Sequence, residues 1–143
     1  MNTTQNRFPK HGWIGLFLIA VFWTLNWSLD GLRTHILFFP LWLGYALTID
    51  GLVVKRKGTS LVMRSWKRYV LLFVISIPAW WLFELINVQT QNWVYLGKEQ
   101  FPDWQYALLS SLSFSTVIPA VFGASELIGS FDWLRRLGKG PAY

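Results

Sequence analysis

Lys55-Arg56-Lys57-Gly58-Thr59-Ser60-Leu61-Val62-Met63-Arg64-Ser65-Trp66-Lys67-Arg68 divides two apolar stretches of 20 residues each, His35–Val54 and Tyr69–Val88. A helix rises 1.5 Å per residue, so about 20 residues cross a ~30 Å hydrocarbon layer. The flanking stretches therefore read as membrane helices, and the basic segment as their connection at one membrane face. Its Leu61, Val62, Met63 and Trp66 suit a short amphipathic piece lying in the headgroups.

Working outward, two more apolar stretches follow, Trp13–Leu29 with 17 residues and Gln105–Ser130 with 26. The first is near the lower limit for a span, and the last must tilt or begin in the headgroups. Arg7 and Lys10 precede the first stretch, but no small-residue cleavage site follows it, so it reads as a retained anchor rather than a cleaved signal. The short Asp30–Thr34 gap predicts an antiparallel hairpin of the first two spans. Pro40 predicts a kink, or a short Leu32–Phe39 segment leading into a helix. Pro78 and Pro119 predict further kinks.

The basic residues give an orientation. The N-terminal tail, the 55–68 gap and the C-terminal tail (Arg135, Arg136, Lys139) hold 11 of them, against Arg33 and Lys98 in the other two gaps. Basic loops face the cytoplasm. The expected fold is an all-α integral membrane four-helix bundle of antiparallel up-down spans, a single domain with both termini cytoplasmic. The expected address is a bacterial inner membrane. Trp13, Trp66 and Trp133 fall at the inner boundaries, and Trp27, Trp93 and Trp104 at or beyond the outer ones, where amphipathic rings belong.

Composition agrees. The chain is 53% hydrophobic and 14% charged, with a mean hydropathy of +0.35, whereas soluble domains carry about 25% charged residues. The net charge of +6 sits in membrane-flanking gaps, so anionic lipid headgroups at residues 55–68, not nucleic acid, are the expected partner. The absence of cysteine excludes disulfides, thiolate catalysis and cysteine-held metals. His11 and His35 fall on opposite faces, so no metal site is expected, and no cofactor motif occurs. The chain stops soon after the last span, which is compatible with its being the first part of a longer protein.

Glu84 is the leading candidate for chemistry. A carboxylate in a span is costly and must face other helices or protonate. Trp80 and Trp81 lie one turn before it and Asn87 one turn after, on the same helix face. Asn26 of the first span lies at similar depth. One reading is an outer-leaflet aromatic and acidic pocket that binds a lipid or hydrophobic ligand. The other is an interhelical clasp of Glu84 with Asn26 or a backbone carbonyl. Asp50 and Glu126 form an inner polar layer, read either as ion pairs with the Lys55–Lys57 and Lys67–Arg68 clusters or as a headgroup or proton site. Ser111, Ser115, Pro119 and Gly123 recur every four residues, a small-residue stripe suited to close helix packing, with a polar pathway as the alternative.

Glu84 at a helix end, followed by Asn92-Trp93-Val94-Tyr95 in an outer loop, resembles the membrane-embedded lycopene cyclase family over that short stretch. The resemblance implies a small polytopic enzyme in which Glu84 protonates an isoprenoid. The family's Pro-x-Glu-Glu pattern is absent. Small multidrug transporters also combine four spans with one glutamate, but theirs lies in the first helix, where this chain has no acid before Asp30. The remaining alternative is a small transporter working as a homo-oligomer.

Overall fold

The computed structural model describes residues 7–31 and 33–137. Leu32 and Lys139, and the side chains of Arg33, Thr34, His35, Arg135 and Arg136, lie outside the described residues. The described chain is helical throughout, with no strand. It comprises α1 (Lys10–Ser28), α2 (Arg33–Lys57), α3 (Leu61–Arg64), α4 (Trp66–Thr90), α5 (Asp103–Phe114), α6 (Val117–Ile128) and α7 (Asp132–Leu137).

Three helical runs are long and apolar enough to cross a membrane: Ile36–Lys57, Trp66–Thr90 and the α5–α6 run Asp103–Ile128. α1 is not among them. Its 19 residues begin with Lys10 and His11 and include Asn26 and Ser28, which dilute its apolar character. α1 nonetheless lies along α2 as the hairpin the short Asp30–Thr34 gap predicts.

Glycines set the closeness of that hairpin. A Cβ on Gly15 would stand 2.6 Å from the Gly44 carbonyl oxygen and the Thr48 backbone nitrogen. One on Gly44 would stand 2.9 Å from the Gly15 carbonyl oxygen. Nearer the basic connection, Gly12 and Gly51 meet across the same seam, and the Phe8 ring packs over both. The lack of side chains lets the two backbones touch, which is how helices gain packing energy where no hydrophobic drive separates protein from lipid.

α2 and α4 stay helical through Pro40 and Pro78, so α2 starts before Pro40 and is not a short segment leading into a second helix. The run expected at Gln105–Ser130 instead breaks at Ser115–Thr116, between α5 and α6. Pro119 has no N–H for Ser115 and its ring crowds that carbonyl, which weakens the helix one turn upstream, where the break falls. α4 repairs the break. Ser76 Oγ donates to the Phe114 carbonyl at 2.5 Å and accepts from Ile118 N–H at 3.1 Å. The hydroxyl thus stands in for the direct bond that an unbroken helix would make between those two groups. Ser115 and Thr116 turn their own hydroxyls back onto the Leu112 and Ser113 carbonyls.

Ser76 is 1% exposed, so Ser76→Ala strips two backbone groups of their partner without offering them water. We expect a loss of about 1–3 kcal/mol in reversible unfolding from detergent. Ile75→Ala, on the exposed side of the same helix, is the reference variant. Equal stability of the two variants would remove the bridging role.

The small-residue stripe faces inward. Pro119 and Gly123 are buried, Gly123 against Ile49 of α2, while Ser111 accepts a bond from Trp81 of α4. The basic connection contains one helical turn, α3, capped by Ser60, whose Oγ accepts from Met63 N–H at 3.3 Å. Met63 and Trp66 beside it are exposed, as are Trp13, Trp27, Trp104 and Trp133.

Candidate functional site

At the end remote from the basic connection, the chain leaves α4 through Gln91 in the left-handed region (φ 50°). It then doubles back along α4 to Gly97 (φ 81°) and a 3-10 turn over Lys98–Gln100. Two side chains of α4 hold the returning loop. Asn87 brackets Trp93, its Nδ2 donating to the Trp93 carbonyl at 2.9 Å and its Oδ1 accepting from Trp93 N–H at 3.2 Å. Glu84 Oε1 accepts from the Tyr95 hydroxyl at 2.6 Å and from Trp93 Nε1 at 3.2 Å. Hydrogen bonds to a carboxylate are among the stronger ones available to a loop.

The expected pairing of Glu84 with Asn26 is not what the structure contains. The partners of Glu84 come from the loop that folds back over it. Asn26 instead lines a cavity of about 640 Å³ together with Trp80, Phe38 of α2, the loop residues Val94–Lys98, and the α5 side chains Tyr106, Ser110 and Ser113. Glu84, Asn87 and Trp81 line a separate groove of about 490 Å³. Val94, Tyr95, Lys98 and Tyr106 border both spaces, so the Val94–Tyr95 segment forms a shared wall. Trp80 and Trp81 both pack on Phe114, with ring centroids 5.9 and 5.4 Å away, and Trp81 Nε1 donates to Ser111 at 2.9 Å.

Neither a known protein family, nor a curated protein, nor a solved structure matches this chain.

The cavity is aromatic and aliphatic with a few polar groups, the composition of a small-molecule site, and its volume lies within the ~300–1,000 Å³ such sites occupy. Tyr95 is the titratable partner in the clasp. Burial, and then its bond to Glu84, push its hydroxyl up from 10.0 to about 12. A raised tyrosine favours folding while protonated: the contribution is complete below pH 10 and is lost as pH climbs towards 12. We expect the phenolate absorbance difference between wild type and Tyr95→Phe to develop near pH 12; development near pH 10 would mean that the clasp is open in solution.

The basic end carries a second polar layer. Asp50 is 2% exposed. Its Oδ2 is bonded to His11 Nε2 at 2.9 Å and its Oδ1 accepts from Val62 N–H at 3.1 Å. This carboxylate joins α1, α2 and α3, and the expected ion pairs with the lysine and arginine clusters do not form there. Ser60, the cap of α3, is fully buried. The Tyr69 and Thr48 hydroxyls are buried with no hydrogen-bond partner among the described residues. Glu126 behaves as the ion-pair reading expects, with Lys57 Nζ at 3.1 Å, but its closer partner is Arg64, whose two terminal nitrogens stand 2.7 and 2.8 Å from the two carboxylate oxygens. That fork raises the Arg64 guanidinium above its ordinary value. Arg56 bonds Ser130 and lies 3.8 Å over the Phe131 ring. Among the described residues no group of three His, Asp or Glu is placed to hold a metal ion.

Sequence reasoning missed His11, Trp93, Tyr95, Lys98 and Tyr106. A signal for His11 was present: His11 and Asp50 are equidistant from the Asp30–Gly31 turn, so an antiparallel hairpin sets them opposite each other.

Proposed function

We propose that the chain is a four-pass protein of the bacterial inner membrane, with both termini cytoplasmic, that binds a lipid or other hydrophobic ligand in the cavity at the loop end. The observation that carries this reading is the cavity itself: about 640 Å³ of mostly apolar, aromatic-lined space between the α1–α2 hairpin and α4–α5, roofed by the Val94–Lys98 loop. In this reading α1 is the fourth pass, since 19 residues reach about 28 Å. The apolar surface that α4 leaves exposed suits acyl chains. Lys55 and Arg68, which form no ion pair among the described residues, suit anionic headgroups at the basic end. The excess of basic residues there supports the orientation.

The test is filling the space. A fatty alcohol brominated on its chain quenches tryptophan on contact, and Trp80 lines the cavity. Quenching should be saturable in wild type. It should lose its saturable part in Ser113→Trp and in Leu109→Trp, since both positions line the cavity and both changes add bulk. Undiminished saturable quenching in both variants would dismiss the cavity as the site. Orientation is checked by labelling a cysteine placed at Gly58, since the chain has none; reaction with an impermeant reagent from the periplasmic side would reverse it.

A second reading rests on one feature of the groove. Glu84 Oε1 is taken by Tyr95 and Trp93, while no described residue bonds Oε2. An acid with one free oxygen in an apolar groove is suited to give a proton to an isoprenoid or other apolar substrate. Loss of turnover in Glu84→Gln with unchanged ligand binding would separate this enzyme reading from simple binding.

A further inference from the structure

We propose that the cavity selects single-chain amphiphiles ending in an anionic group, a carboxylate or a phosphate, and that Lys98 is the residue that makes the selection. This deepens, and rests on, the reading of the cavity as a hydrophobic-ligand site. Size gives the first half. A methylene has about the bulk of a water molecule, roughly 30 Å³, so about 640 Å³ holds on the order of twenty carbon-sized groups. That is room for one chain.

Charge gives the second half. Of the fifteen residues that line the cavity, Lys98 alone carries a full charge. It sits in the loop that forms the roof, at the end where a headgroup emerges if the chain lies among Trp80, Phe114 and Val117. Its Nζ lies 5.0 Å from the centre of the Tyr106 ring, a cation–π placement that draws the ammonium against the cavity wall instead of leaving it free in solvent. No described carboxylate forms an ion pair with it. Lys98 also borders the groove that holds Glu84, but the two form no ion pair, and Glu84 Oε1 is occupied by Tyr95 and Trp93. Asn26, Ser110 and Ser113 add hydrogen-bonding groups but no charge, so they serve acids and alcohols alike. An anionic end therefore gains an ion pair at Lys98 that a neutral end of the same length does not.

The experiment compares heads on matched chains. Oleic acid, oleyl alcohol and a prenyl phosphate of similar length are titrated against the full chain in neutral detergent, read by displacement of the brominated fatty alcohol. Wild type should bind the acid or the phosphate about tenfold more tightly than oleyl alcohol, a difference of about 1.4 kcal/mol. Which anion binds more tightly identifies the source, fatty acid or prenyl phosphate. Lys98→Gln should bring the anions down to the affinity of the alcohol while the alcohol's own affinity stays unchanged, which also certifies the fold. Equal binding of anion and alcohol by wild type, or a preference that survives in Lys98→Gln, would overturn the assignment of Lys98 and leave the cavity reading intact. Failure of all three compounds to displace the probe would overturn both.

Discussion

Replacing Gly15 by valine is expected to separate α1 from α2 and to cost about 3 kcal/mol or more. Added bulk in a packed interior typically costs about 1–3 kcal/mol when side chains can shift. Here the obstacle is backbone: the first carbon of any side chain on Gly15 falls 2.6 Å from the Gly44 carbonyl oxygen and from the Thr48 backbone nitrogen. Backbone moves only if the helices do. The damage spreads, because His11 sits one turn before Gly15 on α1 and Asp50 two residues after Thr48 on α2. Widening the seam therefore strains the His11–Asp50 bond as well. Ala20→Val, on the exposed side of α1, is the matched control and should change stability by less than about 0.5 kcal/mol. If Gly15→Val and Ala20→Val unfold alike in a detergent titration, the two backbones are not in contact in solution.

Asp50→Ala is expected to be the second large effect, about 2–4 kcal/mol. Stranding a buried group that was hydrogen-bonded to a carboxylate costs about 1–3 kcal/mol; His11, whose side chain is 21% exposed, regains some water and falls low in that range. The loss has a second part. Val62 N–H loses its acceptor, and with it α3 loses its tie to α2. Asp50→Asn keeps an oxygen for one donor and should cost no more than about 1–2 kcal/mol. Hydrogen exchange at Val62 should rise steeply in Asp50→Ala and little in Asp50→Asn. Equal exchange in the two variants would show that α3 is held by something other than this carboxylate.

Much of the fold can be read from residue order. The apolar stretches and the basic segment between them place the helices within a few residues of where they lie, because length and polarity act locally. The break at Ser115–Thr116 is not legible from Pro119 alone, since Pro40 and Pro78 stand in helices that continue past them. What differs at Pro119 is a partner, Ser76, supplied by another helix. The same limit applies at Glu84. Ranking residues by depth within spans finds the acid and its neighbours Asn87, Trp80 and Trp81. It carries no information about a loop, so Trp93 and Tyr95 stay hidden as partners although they belong to the stretch that draws attention beside Glu84. At Asp50, lysines close in sequence suggest solvent-facing ion pairs, whereas the hairpin brings His11 closer in space. The glycines at 12, 15, 44 and 51 carry the matching signal, small residues on both sides of one turn.

The Ser76 bridge also bears on the order in which the protein is made. Phe114 and Ile118 each leave a backbone group that lipid cannot satisfy, and the hydroxyl that satisfies both belongs to a helix that comes earlier in the chain. A ribosome working from the N-terminus delivers α4 before α5 and α6. The bent α5–α6 pass therefore meets its repair already in place in the bilayer. The permuted order, with α5–α6 synthesised ahead of α4, would leave that pass waiting in hydrocarbon with its bend unmended.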